Sequence, residues 1–173
     1  DFKNSAHETL EEINSKIGAT QKIEITLDGE IITDSEAHYH PKFAQIVAYT
    51  KSDKNVFLFG DKGAGKTFTA KQVSEALGFD SSKRFGSISC TDGMSESQLL
   101  GRPHLDFSGG DKTFLSTLFL DIFENGGVFL LDEIDRANAN VTCVLNMALE
   151  QGEIQIPART EKPMATRHKD CYI

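Results

Sequence analysis

Apolar and polar residues change rhythm along the chain. Residues 1 to about 20 put Leu10, Ile13 and Ile17 at helical spacing and predict an amphipathic helix. "KIEITLDGEIIT" then alternates apolar and polar residues on both sides of Asp28-Gly29. That is a hairpin pattern, since Asp-Gly supplies the positive φ angles of a tight turn. "HPKFAQIVAYT" returns to helical spacing, with Pro41 placed to open a helix and Phe43, Ile46 and Val47 on one face.

From residue 55 strands and helices alternate. "NVFLFG" is a short apolar run, "KTFTAKQVSEALG" a helix ending at Gly78, and "RFGSISC" a second strand. "SESQLLG" reads as a short helix and "TFLSTLFLDIFENGG" as a longer one stopped by a Gly pair. "VFLLD" is apolar throughout, as expected of a strand covered on both faces. "NANVTCVLNMALEQG" is a further helix with Val141, Val144, Leu145, Ala148 and Leu149 toward the core. This alternation predicts a three-layer α/β fold around a central parallel sheet.

Composition narrows the picture without naming a function. The 173 residues suffice for one domain with a sizeable core, and 39% hydrophobic with 25% charged residues is ordinary for a globular chain. The longest apolar runs are far too short to span a bilayer, so no membrane partner is expected. No basic start with an apolar stretch marks a secretory signal, although the chain opens on Asp1 rather than Met. Cys90, Cys143 and Cys171 are odd in number and widely spaced, which suits free thiols in a reducing, cytoplasmic setting. The formal net charge of -8 and the scattered arginines argue against direct, broad nucleic-acid binding.

Two motifs carry the chemistry. "GDKGAGKT", Gly60 to Thr67, fits G-x-x-x-x-G-K-T between an apolar run and an amphipathic helix, the signature of a P-loop NTPase. Glycines let successive N–H groups turn inward toward phosphate oxygens, and the helix N-terminus adds partial positive charge. The expected nucleotide-binding set is Gly60, Asp61, Lys62, Gly63, Ala64, Gly65, Lys66, Thr67 and Phe68. Lys66 would reach the β- and γ-phosphates and Thr67 would help hold Mg²⁺. The Asp61 carboxylate, at a variable position, is expected to point away from the phosphates. The second motif, "GGVFLLDEID", puts Asp132 and Glu133 at a strand end. Asp132 is the candidate Mg²⁺ ligand with Thr67, and Glu133 the candidate base for a water attacking the γ-phosphate, with Lys66 as the other catalytic residue. ATP and Mg²⁺ are the expected cofactors. Asp135 reads as a helix-start or salt-bridge residue and Arg136 as a salt-bridge arginine.

Together "GDKGAGKT", "GGVFLLDEIDRAN" and "SCTDGMSESQLLGR" resemble the AAA+ ATPases. Within them they resemble the MoxR-like, dynein-related subgroup that includes the cobalt-chelatase ATPase subunit and the CbbQ and NorQ activators. The resemblance covers about residues 38 to 173, taken as the AAA+ core; residues 1 to 37 form an N-terminal helix and hairpin extension. It implies ATP hydrolysis at the interfaces of a homo-oligomeric, hexameric ring that remodels a protein or metal-cofactor target. It also implies that "ALEQGEIQIPARTEKPMATRH" is a helix end and hairpin, and that "DCYI" begins the sensor-1 strand. The polar end of that strand, the fifth strand, the arginine finger and the helical lid would lie beyond Ile173, so a fragment of a longer protein, weakly active or inactive alone, is expected. The implied strand order is first, fourth, third, second, with the glycine-loop strand at an edge.

Weaker signals remain open. "HYH" at 38–40 reads as a surface or capping feature rather than a metal site. By the resemblance, Tyr39 to Phe43 lie near the adenine. Thr91 is either a polar switch touching Glu133 or an ordinary turn hydroxyl. "RPHLDFSGGDKTF" is either a pore-facing loop with Phe107 as a gripping residue or a plain surface loop. Two other functions compete with the motor: a nucleotide-dependent assembly or regulatory module with little turnover, and a McrB-like, GTP-using motor.

Overall fold

The computed structural model describes residues 26, 27, 30, 31, 33, 37–105 and 112–173. The helix expected over residues 1 to about 20, the Asp28-Gly29 turn and Phe107 lie outside the described residues. The chain divides into two compact units, Asp1–Gln45 and Ile46–Ile173.

In the first unit, β1 (Thr26–Leu27) pairs antiparallel with β2 (Glu30–Ile31), Leu27 opposite Glu30, as the alternating pattern predicts. The Tyr39 ring stacks on Phe43 with centroids 4.5 Å apart. The His40 imidazole Nδ1 accepts from the Lys42 amide at 3.2 Å, a capping role just before helix α1 (Phe43–Lys51). Among the described residues no group of three metal-ligating side chains forms.

The second unit is built on a parallel sheet of β3 (Phe85–Ser89), β6 (Gly127–Asp132) and β9 (Cys171–Tyr172), in the order β3-β6-β9. These are the second, third and fourth strands of the expected order. The first, "NVFLFG", has no ladder partner among the described residues: Phe57 is 73% and Phe59 94% exposed. Gly86 lies opposite Phe129, and a Cβ there would stand 2.7 Å from the Phe129 ring, so only glycine admits the ring at that point.

Between β3 and β6 the chain makes helix α3 (Glu96–Leu100), a hairpin of β4 (Gly101–Leu105) and β5 (Lys112–Ser116), and helix α4 (Leu118–Asn125). The long helix read from "TFLSTLFLDIF" is thus split. Residues up to Ser116 pair with β4, and Thr117 caps α4 through its hydroxyl, which accepts from the Leu120 amide at 3.2 Å. The same hydroxyl donates to the Leu99 carbonyl, tying the cap to α3. Helix α4 ends at Gly126, as the Gly pair predicts, with φ 89° and its amide on Ile122.

After β6 come a 3-10 turn (Ile134–Arg136), helix α5 (Ala139–Asn146), a π turn (Met147–Gln151), and a hairpin of β7 (Glu153–Gln155) and β8 (Met164–Thr166) leading into β9. The hairpin lies where the resemblance implied one. The core gathers Leu99, Phe119, Phe123, Phe129, Val141 and Ile154. Phe119 meets Phe129 edge-on, with centroids 5.1 Å apart. The loop of the β7–β8 hairpin is fastened to α4: Glu124, 8% exposed, pairs with Arg159 and with Lys162, each at 2.7 Å.

Candidate active site

Helix α2 (Lys66–Ala76) begins directly after Gly65. Gly63 and Gly65 adopt φ of 83° and 78°, left-handed angles that cost glycine little. No side chain caps the first turn of α2, so its first amides stay free to meet an acceptor at the loop. A Cβ on Gly63 or Gly65 would meet nothing within 4 Å: the loop opens outward. Lys66 is half-buried and folds back, its Nζ donating to the Gly60 and Asp61 carbonyls, each at 2.9 Å. An ammonium has three donors, and two hold the loop closed here. Asp61 joins this arrangement through its backbone. Thr67 and Phe68 are exposed at the start of the helix. At the other end Gly78 terminates α2 with φ 83°, its amide on Glu75 at 3.0 Å and the Phe79 amide on Ser74 at 3.1 Å, the paired bonds of a Schellman motif.

Helix α2 packs against β6, which ends in Asp132, with Glu133 the next residue. The Asp132 carboxylate accepts from the Glu133 amide at 2.9 Å. Glu133 has φ 50°, a left-handed angle for a residue with a Cβ, of the kind that costs ~1–3 kcal/mol and clusters at functional sites. Its Oε2 accepts from Arg136 Nη1 at 3.0 Å and from the Ser89 hydroxyl at 3.3 Å. Ser89 is the register partner of Asp132, which sets its hydroxyl beside the acidic pair. The Cys90 amide donates to the Asp132 carbonyl at 2.8 Å and extends the pairing past the strand end. Burial, and then the Asp132 charge, push the Cys90 thiol up, so it stays protonated and unreactive.

The structure sorts the predicted residues. Arg136 is the salt-bridge arginine expected, exposed on the surface and so worth little to stability. Asp135 lies in the 3-10 turn. The hydroxyl that reaches Glu133 belongs to Ser89, not Thr91, whose carbonyl instead closes the next turn by accepting from Met94. Sequence reading also missed Asn138. Its side-chain oxygen caps α5 by accepting from Val141 at 3.1 Å, while its Nδ2 donates to the Asp92 and Met94 carbonyls at 2.8 and 2.5 Å. That fastens the loop after β3 beside the acids. The signal was present: Asn just before a helical run is a cap residue.

The profile of the AAA domain (dynein-related subfamily) matches residues 55–169, from the apolar run through the glycine loop and acidic pair to two residues before β9. The chain belongs to this subfamily of AAA domains. The Nif-specific regulatory protein of Rhizobium leguminosarum bv. trifolii is 32% identical to this AAA domain over 117 residues, covering 66% of the chain and 31% of that protein. The Nif-specific regulatory protein of Rhizobium etli is 33% identical over 135 residues, covering 76% and 22%. The von Willebrand factor A domain-containing protein 8 of Mus musculus is 29% identical over 103 residues, covering 60% and 5%. The chain therefore spans less than a third of the length of these curated relatives. A crystal structure of a Cytophaga hutchinsonii protein assigned as an ATPase superposes with TM-score 0.53 at 17% identity, over 74% of this chain and 35% of that one. That likeness is one of fold. Among the described residues no helix is long and apolar enough to cross a membrane.

Proposed function

We propose that this AAA domain binds ATP with Mg²⁺ at Gly60–Phe68, hydrolyses it through Glu133, and works in a homo-oligomeric ring that remodels a partner protein or metal-cofactor assembly. We assign residues 38–173 to the ATPase core and 1–37 to an extension. The observation that carries this reading is the uncapped start of α2 behind two left-handed glycines, on a helix packed against the strand that ends in Asp132 and is followed by Glu133.

The residues suit the cofactors. An open loop that leads into the uncapped first turn of α2 and carries one lysine matches a polyphosphate, and a hydroxyl with a carboxylate belongs to the hard oxygen set that Mg²⁺ takes. ATP supplies the β–γ phosphoanhydride, and Mg²⁺ neutralises its charge. The loop amides and Lys66 would hold phosphate oxygens, Lys66 leaving its loop carbonyls to do so, and Thr67 and Asp132 would hold the metal. Glu133 would take the proton of a water, with Ser89 and Arg136 fixing its carboxylate. The net charge of -8 does not oppose this, since binding depends on local amides and a local cation.

The test compares the chain with Glu133→Gln and Lys66→Ala. Glu133→Gln should keep ATP binding and lose ~10²–10⁴-fold in turnover, the usual contribution of a general base. Lys66→Ala should lose binding. A second reading, a regulatory module with little turnover, is favoured by two relatives being named regulatory proteins. It wins if the chain and Glu133→Gln bind ATP and are equally inactive. Competition by GTP separates a GTP-using motor.

A further inference from the structure

The apolar run before the glycine loop has no ladder to the sheet among the described residues, yet the chain enters the loop from it. One side chain bridges the gap. Arg167 follows β8 directly, and its amide donates to the Gly152 carbonyl at 2.7 Å, closing the base of the β7–β8 hairpin. Its guanidinium is largely buried. Nε and Nη2 both donate to the Cys171 carbonyl at the start of β9, at 3.1 and 2.8 Å. Nη2 also donates to the Asn55 side-chain oxygen at 3.3 Å and stands 3.7 Å from the Asp53 carboxylate. Asp53 is presented by a left-handed turn, φ 56°, that closes α1.

We propose that Arg167 is a positioning residue: it seats residues 53–55, and through them the glycine loop, against the start of β9. Arg167 grips the start of β9 with its planar fork and ties Asn55, the first residue of the run, to it where no ladder does so among the described residues. A lysine ammonium is a single point donor without the planar fork, so it cannot place two parallel N–H groups on the Cys171 carbonyl and reach Asn55 in the same geometry. The proposal deepens the assigned nucleotide site, because a loop held at its entrance presents its amides to a ligand already in place.

The experiment uses the whole chain with Asn55→Ala and Arg167→Lys. Asn55 is exposed, so its truncation leaves the core intact even if Arg167→Lys folds poorly. Chymotryptic cleavage after Phe57 and Phe59 reports the seating of the run, and Mg·ATP titration reports the loop. In both variants cleavage at those two bonds should quicken about tenfold, the factor a charge-assisted hydrogen bond carries, with no change at buried Phe119 and Phe129. Mg·ATP affinity should fall by a similar factor. Unchanged cleavage overturns the proposal, as does equal quickening at the buried phenylalanines, which would be general loosening. Equal Mg·ATP affinity in the parent and both variants overturns it too. If the parent binds no nucleotide while cleavage responds as expected, the assigned function fails and the seating role stands.

Discussion

The tripeptide Val-Phe-Leu occurs twice, at 56–58 and at 128–130, in opposite settings. At the second site it is the middle of the sheet: Val128 pairs with Phe85 on one side and Tyr172 on the other, and Phe129 is 4% exposed. At the first it has no ladder partner among the described residues, and Phe57 is 73% exposed. The residues are the same; the neighbours are not. Apolar composition makes a strand able to be buried, but hydrogen-bonded neighbours on both edges decide whether it is.

The contrast can be attacked from the buried side first. Phe129→Ala should cost ~3–5 kcal/mol in urea unfolding, since it opens a cavity beneath Phe119 in a core that cannot fully collapse. Gly86→Ala should cost ~1–3 kcal/mol, because its Cβ meets the Phe129 ring and the strands must part; pairing it with Phe129→Leu should recover part of the loss. Acid is the next lever. Burial alone would raise the Glu124 carboxyl, but its contacts with Lys162 and Arg159 outweigh burial and hold it below its ordinary 4.5. The stability Glu124 contributes is then complete above about pH 4.5 and lost as pH falls through its folded value. Melting temperatures of the chain and of Glu124→Gln, measured from pH 7 down to pH 3, should converge in that acid range. The exposed copy gives the smallest effect: Phe59→Ser should shift stability by less than ~0.5 kcal/mol. A loss as large as that of Phe129→Ala would mean the run is buried in solution and would erase the comparison.

Much of this was readable in the residues. Local signals survived: the alternating pattern that pairs β1 with β2, Gly78 and Gly126 as helix stops, and the glycine loop opening α2. Asp132 and Glu133 fell at a strand end because a run of apolar residues can be followed outward to its first acid. What failed was non-local. "TFLSTLFLDIF" satisfies both a helical and a strand reading, and only the β4 partner turns its first half into β5. Ser89 reaches Glu133 because of the register with Asp132, which no spacing in the sequence encodes. Arg167 meets Asn55 across 112 residues of chain, beyond any periodicity.

Helix α4 is pinned at both ends, by Thr117 on the Leu99 carbonyl and by Glu124 in its two-cation clasp. That makes its length a matter of phase as well as distance. Each added residue turns the far end by about 100°. One inserted alanine would therefore swing Glu124 off Arg159 and Lys162, while four would bring it nearly back to the same face, displaced by about 6 Å. The eight residues of Leu118–Asn125 act as a keyed shaft: they fix how far apart the β4–β5 and β7–β8 hairpins stand and also the angle at which one faces the other.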